Sequence, residues 1–91
     1  MIVDEKVSDD DLYSAGYCPE LRKYVLSVTM KQGDCLYNRY FEIAKNEYDE
    51  FNQLSRLVDS LNEKGQTSDR FLYSELFDEN TDESRKYRKF F

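Results

Sequence analysis

A chain of 91 residues makes one domain at most, residues 1–91, and such a chain buries only about 60–65% of the surface its unfolded form exposes. With 19 acids against 13 bases, a net charge of -6 and a mean hydropathy of -0.85, its surface is dominated by ions. That excludes a membrane span, which needs ~18 or more consecutive apolar residues, and it opposes direct contact with naked nucleic acid or an anionic membrane.

Residues 1–20 form an acidic segment, in which Asp4, Glu5, Asp9, Asp10, Asp11 and Glu20 face only Lys6. Ser8 followed by Asp11 has capping spacing and predicts a short helix through Leu12, Tyr13 and Ala15, ended by Gly16. An irregular arm is the alternative. Cys18-Pro19 then breaks the chain, because a residue before proline is driven out of the helical region. From Tyr24 to Met30 the chain is rich in β-branched and aromatic residues, and Cys35 to Ile43 repeats that composition, so the two runs predict a hairpin. Gly33 supplies the positive φ of the turn. A Gln32-Gly33 loop would set Met30 against Cys35 and Val28 against Tyr37. Arg39 opposite Leu26 interrupts that register.

Between Lys45 and Lys64 the period lengthens. Tyr48, Phe51, Leu54, Leu57, Val58 and Leu61 recur every three or four residues, predicting one amphipathic helix capped by Asn46 and stopped by Gly65. Arg70 to Phe77 reads as a third strand, with a short helix as the alternative. Asp78 to Glu83 reads as a loop or as the start of a last helix capped by Thr81. Residues 84–91 are a basic tail carrying Arg85, Lys86, Arg88 and Lys89, which leaves residues 1–83 at 19 acids against 9 bases, a net of -10. The expected fold class is α+β: a small two-layer domain with an antiparallel sheet of about three strands packed against one long amphipathic helix. Leu26, Val28, Phe41, Ile43, Phe51, Leu54, Val58, Leu61 and Phe71 would form its core.

Chemistry has little to work with here. The absence of histidine removes Ser–His and Cys–His nucleophilic catalysis and the usual transition-metal site. Gly16, Gly33 and Gly65 are too far apart to cradle a phosphate. Asp9-Asp10-Asp11 lacks the spaced ligands and glycine of a calcium loop. Cys18 and Cys35 read as reduced thiols, since Met1-Ile2-Val3 runs at once into Asp4 and Glu5 with no leader. The expectation is therefore no catalytic residue, no cofactor and no metal, in a cytoplasmic protein that acts by binding.

Besides the basic tail, which would contact RNA or phosphate or else fold back on the acidic surface or fray, two features could carry recognition. One is the acidic surface, in three clusters: Asp9, Asp10 and Asp11; Asp49, Asp59 and Glu63 on the polar helix face; and Asp78, Glu79 and Asp82. The other is the aromatic excess of eight Tyr and six Phe, too many for one thin core, which singles out Tyr37 and Tyr40 for display. An acidic chain with a tight hairpin (Val25 to Ile43), one amphipathic helix (Asn46 to Lys64) and no catalytic residue resembles, in type, the small inhibitors encoded by phages. Anti-CRISPR proteins that occupy a nucleic-acid groove are among these, and bacterial immunity proteins that block toxin nucleases are similar. No shared motif transfers a residue role. The resemblance implies a bacterial, phage-encoded inhibitor docked on a basic, nucleic-acid-binding protein surface. The other readings are an immunity protein, an adaptor acting through a homodimer or strand edge, and a small-molecule regulator.

Overall fold

The computed structural model describes residues 2–8 and 12–91. Within them five strands, β1 (Val3–Val7), β2 (Tyr13–Cys18), β3 (Lys23–Gln32), β4 (Cys35–Ile43) and β5 (Phe71–Ser74), lie side by side in chain order as one antiparallel sheet. Two helices, α1 (Lys45–Asp49) and α2 (Ser55–Lys64), connect β4 to β5, and a short α3 (Asp82–Arg85) follows. The class is α+β, but the expected sheet of about three strands under one long helix is corrected on both counts.

The extra strands come from the segment read as an arm or helix. Tyr13, Ala15 and Tyr17 alternate with Ser14, Gly16 and Cys18, a period of two that suits a strand. Gly16 ends no helix. It sits mid-strand, where β1 comes so close that a Cβ would stand 2.4 Å from Ile2 Cγ2 and 2.8 Å from the Val3 carbonyl oxygen. The expected cap partner Asp11 lies outside the described residues. Pro19 makes the turn into β3, its carbonyl accepting from the Arg22 amide at 3.3 Å.

The predicted hairpin exists with its register moved by two residues. Gln32 pairs with Cys35, Met30 with Tyr37 and Val28 with Arg39, so the loop is Gly33-Asp34. Gly33 holds φ +59° at the first central position, where II′ turns take glycine. A two-residue slip keeps every side chain on its face, so the alternating pattern could not distinguish the two registers.

The long helix breaks where its spacing accommodates a tighter turn. Tyr48, Phe51 and Leu54 are three apart, and at 3.6 residues per turn they would drift about 120° around the axis. A 3₁₀ turn, with three residues per turn, keeps them in line. The chain takes that course: α1 ends at Asp49, Phe51–Gln53 is 3₁₀, and α2 starts at Ser55. The first helix is capped at Ala44, whose amide donates to Glu47 Oε1 at 2.8 Å, two positions before the predicted Asn46.

Two cores share the sheet. On one face Ala15, Leu26, Val28, Phe41 and Ile43 meet Phe51, Leu54, Val58 and Leu61 from the helical connection. On the other, Cys18, Val25, Tyr40 and Leu72 are covered by Ile2 and by Tyr87, Phe90 and Phe91. The tail packs back on the sheet: Arg85 and Lys86 meet Asp82 and Glu83, and its aromatic rings seal a second face. Phe91 stacks on Tyr40 at 4.3 Å. The expected strand from Arg70 to Phe77 contracts to Phe71–Ser74, and the Asn80 side chain closes its outer edge, accepting from the Ser74 amide at 2.9 Å and donating to its carbonyl at 2.7 Å. Those bonds occupy the backbone groups a further strand would need. Cys18 and Cys35 pair with opposite ends of β3, ~30 Å apart at ~3.3 Å per residue, and neither is bridged. Among the described residues no helix is long and apolar enough to cross a membrane.

Candidate functional site

The carboxylates named from the sequence meet different fates. Asp49 is exposed but pairs with Lys45 one turn earlier, at 2.9 Å. Asp82 stands fully exposed in the first turn of α3, 3.5 Å from Arg85. Asp9, Asp10 and Asp11 lie outside the described residues. Glu79 is not available at all. Arg39 grips it through Nε at 2.8 Å and through Nη2, the Tyr37 hydroxyl donates to it at 3.2 Å, and the Ser74 hydroxyl at 2.8 Å. The Arg39 hydrogen bonds hold the Glu79 carboxyl below the usual carboxylate range against the opposing effect of burial.

Asp59, Glu63 and Asp78 remain exposed and make no ion pair among the described residues. The fold joins two of the expected clusters, because Glu63 at the end of α2 and Asp78 after β5 line one open depression of about 450 Å³. Its floor is the Arg39–Glu79 pair. Arg39 Nη1 also reaches the Asn62 carbonyl at 3.5 Å, and Gly65, with φ +52°, leaves room for the guanidinium, which would stand 3.4 Å from a Cβ there. Arg39 thus neutralises the floor, while Glu63, Asp78 and the negative end of the α2 dipole give the rim its charge. Lys64 is the cation among the lining residues outside that pair.

The tyrosines expected on display are turned inward. Tyr40 is 8% exposed, stacked on Phe91 in a cluster with Tyr73, and Tyr37 is half-buried with its hydroxyl on Glu79. Burial raises both hydroxyls above the usual tyrosine range.

A second concavity escaped the sequence entirely. On the sheet face away from α2, a groove of about 250 Å³ runs between β1 and Tyr40. Its floor is Ser14, Gly16 and Ser27; Ser14 pairs with Ser27, and Ser27 with Tyr40, in a row across three strands. Glu5 leans over the floor, its Cγ within 3.1 Å of where a Gly16 Cβ would stand. Asn38 and Tyr40 line its far side, and beyond them Glu75 accepts from the Asn38 amide at 2.7 Å and from the Tyr40 hydroxyl at 3.5 Å. Neither Glu5 nor Glu75 forms an ion pair among the described residues. Finding this groove needed the β2–β3 pairing, hidden while residues 8–15 read as helix.

The tail cations form a separate pole. Arg85, Lys86, Arg88 and Lys89 line one shallow depression, with Arg85 and Lys86 already paired to Asp82 and Glu83 and Arg85 over the Phe77 ring at 4.5 Å. Among the described residues no group of three or more Cys, Asp or Glu is arranged to hold a metal. Comparison with protein-family models, with curated proteins and with solved structures gives no match for the chain.

Proposed function

We propose that this chain is a non-catalytic binding domain that docks, through the acidic rim at the end of α2, on a basic, nucleic-acid-binding surface of another protein and thereby blocks it. The observation that carries this reading is the convergence of Glu63 and Asp78 on one open depression, with Asp59 earlier on the same helix and, among the described residues, no ion pair to any of them. Unspent carboxylates on an exposed rim favour a partner that brings its own cations. The strand-edge homodimer is less favoured by the fold: β1 is bulged and carries Asp4, Glu5 and Lys6, and the outer edge of β5 is occupied at Ser74 by the Asn80 side chain. Bulges and charges are what discourage edge-to-edge pairing.

The test uses the immobilised chain as bait in a bacterial lysate cleared of nucleic acid. Captured proteins are expected to be basic, to elute as salt rises, and to lose DNA or RNA binding when the chain is added back. Asp59→Asn, Glu63→Gln and Asp78→Asn combined should slow association about 10-fold at low salt and flatten its salt dependence, with the thermal midpoint unchanged. Capture that survives the triple substitution, or a partner that binds nucleic acid equally well with the chain present, overturns the reading.

A further inference from the structure

We propose that two copies of this chain pair about a two-fold axis at Phe77, each setting its acidic rim against the other's tail cations. The rim is the one read above as the docking surface, but the pairing needs no target and stands without that reading.

The order of groups across one surface carries the inference. Asp78 lines the depression at the end of α2 together with Glu63. Phe77, the residue before it, is 58% exposed, and it is the one aromatic ring of the described residues more than half exposed. Arg85 lies over that ring at 4.5 Å and lines the basic depression with Lys86, Arg88 and Lys89. Acids, an exposed ring and cations therefore follow one another, with the ring in the middle. Asp82 and Glu83 offset Arg85 and Lys86, whereas Arg88 and Lys89 form no ion pair among the described residues. The backbone at the ring is also pinned, because the Asn80 amide and the Asn80 side chain donate to the Phe77 carbonyl at 3.1 and 3.4 Å.

A surface of that order is its own complement. A two-fold interface brings the same patch of each copy together. Rotation about the middle sets ring on ring, and the acids of each copy on the cations of the other. A translation would press Phe77 into a charged depression and would not close. An aromatic centre within a charged rim is the usual anatomy of an interface, and a residue already held in place loses little freedom on binding. A phosphate backbone would satisfy the cations but meet the acids as like charges. The net charge of -6 on each copy opposes pairing. At about 0.15 M salt, however, charges more than about 8 Å apart are largely screened, so the opposed charges within the patch count for more than the distant acids. An interface confined to this patch is small, and the dimer is reversible.

The test is sedimentation equilibrium of the full chain at about 0.15 M salt. The wild type is expected to pass from monomer to dimer between micromolar and millimolar concentration. Phe77→Ala should weaken the dimer about 10-fold while keeping the thermal midpoint. Charge reversal decides the geometry. Glu63→Lys with Asp78→Lys sets cations against cations, and Arg88→Glu with Lys89→Glu sets acids against acids, so each variant alone should stay monomeric. Mixed in equal amounts they should form a one-to-one heterodimer, because both contacts then join opposite charges. A wild type that is monomeric at millimolar concentration, a reversed variant that dimerises alone, or a mixture that stays monomeric overturns the pairing. The Arg88→Glu, Lys89→Glu variant should still capture basic proteins from a lysate. Capture by a chain that never dimerises overturns the pairing and leaves the docking reading standing; a dimer that captures no basic protein does the reverse.

Discussion

A carboxylate that accepts hydrogen bonds from Arg39, Tyr37 and Ser74 at once has little left to offer a partner, and that is the position of Glu79. Its neighbour Asp78 is exposed and points at the same depression. Nothing in the sequence separates these adjacent acids, because the difference is made by Arg39, 40 positions away. Glu79 should therefore matter for stability rather than for docking. Glu79→Ala strands a largely buried guanidinium, and a hydrogen bond to a charged group contributes about 1.5–3 kcal/mol, so urea unfolding at neutral pH should show a loss of that order. The pH dependence has a definite sign. A carboxyl held below its usual value favours the folded state while ionised, so this stabilisation is complete above the ordinary glutamate value of about 4.3 and declines as pH falls below it. The gap between wild type and Glu79→Ala should accordingly narrow on acidification. A gap that stays constant, or widens, would show that the ion pair is not its cause.

At the scale of elements, legibility followed how local the cause was. The β3–β4 hairpin was readable because two β-prone runs flank one glycine; its register was not, because two-residue slips are silent in an alternating pattern. The β1–β2 hairpin was missed because a Ser-x-x-Asp spacing resembles a helix start, while the evidence for strands lies in pairing across the sheet. The helical connection offers the converse case. Its buried residues were correctly named, yet the spacing of three from Tyr48 to Leu54 suits a 3₁₀ turn as well as an α-helical stripe, so the break between α1 and α2 was not legible. Leu54 sits at the resulting joint, 5% exposed, where the 3₁₀ turn hands over to α2. Leu54→Ala should cost on the order of 2–5 kcal/mol, and half-buried Leu57→Ala clearly less, as judged by thermal melts. Equal losses would mean that the two leucines share one continuous buried stripe.

The whole molecule divides its labour between the two sheet faces. One is closed by the helical connection, and the other is closed in part by the aromatic residues of the tail and left open over the serine floor. Because the strand order repeats the chain order, every sheet contact is made between strands adjacent in the sequence, although β4 and β5 are separated by the helical connection. That arrangement has a kinetic meaning. Loop-closure entropy is smallest for the β3–β4 pair, joined by two residues, and a protein rich in such local contacts folds faster than one that must pair distant strands. Assembly should start at the Gly33-Asp34 turn, spread outward, and end when Phe91 settles on Tyr40. Stopped-flow measurements should then show Val28→Ala slowing folding, while Phe91→Ala leaves the folding rate nearly unchanged and speeds unfolding. The rings that seal the second face would thus act as a latch on the finished sheet, governing how long the native state lasts rather than how quickly it is reached.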